Sequence, residues 1–141
     1  MTHNLNDTPE QERAYRVMIT NIAVAGVFVS DQEKALEFYT TKLGFETCAD
    51  EPMGPSERWI EFAPPGAATR IVLSLATEAW GADRLGQFAN IVFEPDDIDA
   101  TYAELSARGV AFTEPPTDQP WGGRQAQFVD QDGNGFVIVK R

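Results

Sequence analysis

The 141 residues, 43% of them hydrophobic, suit one globular domain or two small halves sharing a core. A formal charge of −11, from 22 acidic against 11 basic residues, repels phosphate backbones and anionic lipid, so nucleic acid and membrane are poor partners. No apolar run approaches the ~20 residues that span a bilayer; the lone Cys48 excludes an internal disulfide and an all-cysteine zinc site; and with no signal-peptide core a cytoplasmic location is expected.

Residues 1–17 are polar with little periodicity and read as a flexible tail. They hold His3, the only histidine, so no histidine-based catalysis or zinc site is expected in the folded part, residues 18–140. Residues 20–29, TNIAVAGVFV, read as an apolar β-branched strand. Ser30 to Glu33 then spell a capping box, with the Ser30 side chain serving a helix amide and Glu33 reaching back. Ala35, Leu36, Tyr39 and Leu43 form one helical stripe, and Gly44 ends it. A short extended piece at 45–48 and strands at 57–63 and 69–75 complete a βαβββ order.

After a linker at 77–87 the order repeats. Residues 88–95, FANIVFEP, read as a strand, Asp96 and Asp97 cap a helix carrying Ile98, Tyr102 and Leu105, and Gly109 ends it. Strands are expected at 110–114, 124–129 and 135–140. A shift of 65 pairs Val27 with Val92, Phe28 with Phe93, Asp31 with Asp96, Ala35 with Ala100 and Gly44 with Gly109, suggesting an internal repeat. The expected fold class is α+β, one domain of two βαβββ modules, residues 18–76 and 88–140.

Residues 130–135, DQDGNG, open like an EF-hand calcium loop. The twelfth position, which should be a bidentate glutamate, is Arg141, and a β-branched strand follows in place of a helix. The stretch therefore reads as a tight turn.

Taken together, VFVSDQEKALEFYTTKLGFE, DDIDATYAELSARGVAF and GGRQAQFVDQDGNGFVIV resemble the vicinal oxygen chelate superfamily, also called the glyoxalase/bleomycin resistance/dioxygenase superfamily. The resemblance covers roughly residues 19–140. It implies two curled sheets that jointly enclose a ligand cavity, paired within a chain or exchanged across a homodimer. It also implies, in metal-using members, two histidines on the first strands and two glutamates on the last, holding an ion that chelates vicinal substrate oxygens.

Carried over, those four positions fall on Val24, Asn90, Val72 and Val137. Three are valines without a lone pair to give, and their neighbours Ala23, Ala25, Ile71, Leu73, Phe136 and Ile138 are apolar too. No metal and no other cofactor is expected. Period two places Ile22, Gly26, Arg70, Ser74, Val92, Glu94, Gly135 and Val139 on the same inward faces, while Val27, Val29, Leu73, Ile91, Phe93 and Ile138 pack towards the helices.

A mainly aliphatic cavity with few polar groups suits an apolar or aromatic small molecule. The candidate ligand residues are Asn90, Trp59, Arg70, Trp121 and Arg124; Trp80, in the linker, is a weaker one. Glu61 and Glu94 are candidate acid or base groups if burial raises their pKa, with an ion pair to Arg70 or Arg124 as the plainer reading. The leading expectation is a metal-free binding protein of the bleomycin-resistance type, sequestering an aromatic or cationic metabolite or antibiotic. A metal-independent isomerase, hydrolase or cyclase using Glu61 or Glu94 stands second, and a metal-dependent lyase or dioxygenase third.

Overall fold

A computed structural model of the chain describes residues 5–141. His3 lies outside the described residues. The polar stretch read as a tail contains a helix that low periodicity gave no sign of, α1 (Pro9–Tyr15), begun by a Thr8–Gln11 capping box with proline in its first turn.

The first module follows as β1 (Val24–Val29), α2 (Gln32–Glu37), a π-helical turn (Phe38–Lys42), β2 (Glu46–Pro52), β3 (Arg58–Ala63) and β4 (Arg70–Leu75). The second is β5 (Phe88–Phe93), α3 (Ile98–Ala107), β6 (Ala111–Asp118), β7 (Arg124–Val129) and β8 (Gly135–Lys140). Each makes a mixed four-stranded sheet, ordered β1-β4-β3-β2 and β5-β8-β7-β6, in which the first and last strands pair in parallel. The two βαβββ modules are those expected. The edge strands β2 and β6 run longer than predicted, and β6 accommodates Pro115 and Pro116 because an edge strand leaves one row of amides unpaired.

The first helix begins one residue later than the sequence suggested, and the second begins within the expected Asp96–Asp97 cap. Asp31, not Ser30, caps α2 by accepting from the Lys34 amide at 3.0 Å, and Asp97 caps α3 through the Ala100 amide. The structural repeat is therefore 66 residues at the caps and 65 at the terminating glycines, Gly44 and Gly109, both with positive φ. Module one holds one extra residue between cap and glycine, and the π-helical turn lies in that interval. Such turns are the usual way a helix absorbs a single inserted residue. Two consecutive side chains of the widened turn, Phe38 and Tyr39, are buried.

One apolar cluster joins the modules. Val27, Val29, Ile60, Phe62, Ile71 and Leu73 of the first sheet and Ala126, Phe128, Phe136 and Ile138 of the second belong to it, with Ile91 and Phe93 packed against it. Its aromatic rings continue across the junction, Tyr39 lying 6.0 Å from Phe136 and Phe45 5.3 Å from Phe93. Gln32 fastens α2 to its sheet, donating to the Arg58 and Leu73 carbonyls and accepting from the Arg58 amide.

A polar hub reinforces the same junction. Asp130 and Asn134, both buried, stand at the ends of the turn before β8. Asp130 Oδ1 accepts the amides of Asp132 and Asn134 at 2.9 Å each, while Oδ2 accepts the Tyr39 hydroxyl at 2.6 Å and Asn134 Nδ2 at 2.9 Å. Asn134 also donates to the Phe28 carbonyl and accepts from the Gly86 amide. Asp132 takes the Ser30 amide and hydroxyl at 2.9 and 2.5 Å, which is why Ser30 does not cap the helix. The oxygens that gave the stretch its calcium-like spacing serve module one and their own turn.

Burial, then the charge of Asp130 and its hydrogen bond, push the Tyr39 phenol far above the ordinary tyrosine range. Because the folded state holds this proton more tightly than the unfolded chain, stability falls once pH rises past the ordinary value of ~10. In an alkaline absorbance titration one of the three tyrosines will ionise only as the protein unfolds, and Tyr39→Phe will remove that component. The same substitution will lower unfolding free energy in urea by about 1–3 kcal/mol, the cost of depriving a buried carboxylate of a donor; unchanged stability would mean the hub does not couple the modules.

Candidate functional site

Strand alternation gives each sheet a core face and an open face. On β1, Val27 and Val29 are buried while Val24, Gly26 and Phe28 turn the other way. The register then fixes their neighbours: Val24 pairs with Arg70, Gly26 with Val72 and Phe28 with Ser74, and Val72 pairs across β3 with Glu61. On module two the corresponding row is Val92, Val137, Gln127 and Glu114. Since the core faces meet in a shared cluster, both open faces lie outside it.

Trp59, Glu61 and Arg70 form one hydrogen-bonded unit on the first open face. Trp59 Nε1 donates to Glu61 Oε2 at 2.7 Å, and Arg70 Nη1 donates to Glu61 Oε1 at 3.3 Å. The indole hydrogen bond first, and then Arg70, hold the Glu61 carboxyl below the ordinary glutamate range. The ion pair with Arg70, the plainer of the two readings, is present and the raised pKa is not: the side chain is 17% exposed, yet its donors outweigh desolvation. Glu61 is a fixed carboxylate. Glu94 is half exposed and ion-paired to Arg141 at 3.2 Å.

Asn90 occupies a bulge in β5. Between the Phe88–Gly135 and Val92–Val137 pairs, three residues of β5 oppose one of β8, and Asn90 takes up the excess with φ of 59°. It is the one described residue other than glycine with positive φ, a conformation that asparagine tolerates better than most side chains. Its side chain lines a narrow crevice between the β1 and β5 edges with Gly26, Phe28 and Arg84.

The other candidates are dispersed. Arg124 alternates with the buried Ala126 and Phe128, which places it on the core side, where it bonds Asp99 of α3 and Asp118 at 2.9 and 3.0 Å. Those carboxylates hold its guanidinium firmly protonated, and the structure does not bring it together with Trp59 or Arg70. Trp121, at the β6–β7 tip, lies over Gly123, where an added Cβ would fall 1.9 Å from the indole.

Sequence reasoning passed over Phe28 and the linker residue Trp80 as partners. Trp80 stands edge-on to Phe28 at 4.8 Å, and Gly81, at φ of 85°, lies so close that a Cβ there would meet the ring at 2.2 Å. Period two from Val24 already placed Phe28 on this face; nothing local tied it to Trp80.

The donor set does not fit a divalent ion. Val24, Val72 and Val137 offer no lone pair and Asn90 one amide oxygen, and the described residues contain no group of three or more His, Cys, Asp or Glu able to hold a metal. An apolar cleft of about 210 Å³ opens between Leu43, Phe45, Phe93 and Leu105, on the core side and below the ~300–1,000 Å³ of typical small-molecule sites. No helix among the described residues is long and apolar enough to cross a membrane.

Comparison with known proteins places these features. The family model for the Glyoxalase/Bleomycin resistance protein/Dioxygenase superfamily matches residues 21–138. The uncharacterized protein YetH of Bacillus subtilis (strain 168) is 43% identical over 121 residues, covering 86% of this chain and 98% of that protein. A superfamily member from Sphaerobacter thermophilus DSM 20745 superposes with a TM-score of 0.80 at 42% identity, covering 89% of this chain and all of that one. TnmS3, an antibiotic-binding protein from Streptomyces sp. CB03234, gives 0.75 at 40% identity, covering 87% and 97%.

Acidification tests the Trp59–Glu61 unit. With the folded pKa lowered, the stability Glu61 contributes is present above the unfolded value and lost as pH falls through the folded one. Tryptophan emission will therefore change with a midpoint below the ordinary glutamate range, and Trp59→Phe or Glu61→Gln will abolish that transition. A midpoint at or above the ordinary range would contradict the geometry.

Proposed function

The chain belongs to the glyoxalase/bleomycin resistance protein/dioxygenase superfamily, and on that premise we propose that it is a metal-free binding protein for a small aromatic molecule, of the antibiotic-sequestering kind. The proposal rests on the side chains that stand where the family resemblance implies metal ligands, Val24, Val72, Val137 and Asn90, three of which have no lone pair to give. A surface without a Lewis acid, walled by valines and bordered by Trp59 and Phe28, offers apolar contact and a few orienting hydrogen bonds rather than a way to stabilise an enediolate. The antibiotic-binding activity of TnmS3 supports the ligand class.

The carboxylates favour binding over proton-transfer catalysis. Glu61 is held ionised by two donors, the opposite of the raised pKa that a general acid at neutral pH needs, and Glu94 is ion-paired to Arg141 at the surface. The cytoplasm, where no disulfide is needed, suits the single exposed Cys48.

The working form is a homodimer. Val24, Trp59, Trp80, Val92 and Trp121 are between 38 and 59% exposed, and monomeric proteins rarely leave so much apolar surface uncovered. A second copy that closes over the open faces turns them into a cavity and removes that surface from water, at ~25 cal/mol per Å².

Tryptophan fluorescence across a panel of aromatic metabolites and antibiotics will give a saturable response, unchanged by chelator treatment. Light scattering will report twice the 15.6 kDa chain mass. Stoichiometric, tightly held iron, manganese, nickel or zinc in the purified protein would overturn the metal-free reading, and a monomer at micromolar concentration would overturn the dimer.

A further inference from the structure

We propose that Arg70 is the polar anchor of the site and that the ligand is a planar aromatic molecule presenting an acceptor oxygen, such as a carbonyl or carboxylate, and not a cation. The inference rests on the binding-protein reading and narrows it.

Three observations carry it. Arg70 stands on the open face, paired in register with Val24 and one alternate residue before Val72 on β4, so it flanks the row where metal-using relatives hold their ion. Among the described residues its guanidinium spends only Nη1, on Glu61, and it stays 47% exposed, leaving the other N–H groups of the fork available to a ligand. Those donors lie in a plane and match one or two oxygens of a ligand, which a lysine ammonium does not do in a bidentate way. Other arginines are spent elsewhere: Arg58 on Asp50 and Glu33, Arg124 on Asp99 and Asp118.

Glu61 is the positioning residue. Its carboxylate bridges the indole N–H and the guanidinium, so it sets the Trp59 ring and the Arg70 fork at a fixed distance from each other before any ligand arrives. With its charge already balanced by the Arg70 guanidinium, Glu61 is a poor counter-charge for an incoming ammonium. The unit thus pairs an aromatic platform with a donor fork, and losing little side-chain freedom on binding favours affinity. Arg70 does by hydrogen bonding what the family's ion does by coordination: it holds ligand oxygens against the floor formed by Gly26 and Val72.

Calorimetric titration of the full-length protein at physiological salt, which screens its net charge, tests this with three probes sharing one ring system: naphthoate, acetylnaphthalene and naphthylmethylamine. The two oxygen-bearing probes will bind more tightly than the amine. Arg70→Ala will weaken those two about ten- to hundredfold, the range for hydrogen bonds to a charged group, will not weaken the amine and will keep the folded-state circular dichroism spectrum. Arg70→Lys will fall between, and Glu61→Ala will weaken the same two probes while Glu61→Gln restores part of the loss. If all three bind equally, if the amine binds best, or if Arg70→Ala changes nothing, the anchor is wrong and the binding reading survives. If no probe gives a saturable signal, both fail together.

Discussion

The buried carboxylate of Asp130 is the constraint from which the arrangement of the two modules follows. A charged group this far from water must be met by donors on every side, and Asp130 receives four: two from its own turn, one from Asn134 and one from Tyr39 of the other module. Satisfying it sets the register between the last turn of module two and the helix of module one. Asp132 and Asn134 extend the link to Ser30 and the Phe28 carbonyl, fixing the end of β1. The open-face residue Phe28 is thereby held by a turn that touches no part of the open face.

The apolar half of the junction works with this polar half. Tyr39 meets Phe136 at 6.0 Å and Phe45 meets Phe93 at 5.3 Å, both edge-on across the junction, giving large contact area but little directional preference. Aromatic packing alone tolerates sliding, whereas the short Tyr39–Asp130 bond does not. The shared cluster and the polar hub hold the modules together from the core side, and the open faces lie outside both.

Much of this was legible in the sequence, for reasons that differ by residue. Alternation on β1 and β4 read directly as two faces, because both strands are regular and Val27, Leu73 and Ile71 are apolar where Gly26 and Arg70 are not. The valines at 24, 72 and 137 were equally plain, since an aliphatic side chain excludes coordination wherever it points. Ser30 was misplaced as a cap because a capping box is a local pattern, while its real partner, Asp132, lies 102 residues away. The strand holding Arg124 was read at its observed bounds, but its partners Asp99 and Asp118 come from a helix and a neighbouring strand, which no local pattern pairs with it. The state of Glu61 depended on two neighbours whose donors only the folded sheet aligns, so burial alone predicted the wrong direction.

The extra residue in the π-helical turn gives the molecule a polarity that its repeated architecture hides. Without it the two halves would be interchangeable in length from cap to glycine, and a chain built from either half twice over would be a plausible fold. The widened turn buries the Tyr39 phenol, which reaches the carboxylate in the last turn of the other half, so the halves meet as unlike partners. A nearly symmetric scaffold in this way acquires a lock and a key from one inserted position, and its two sheets are released from having to present matching surfaces.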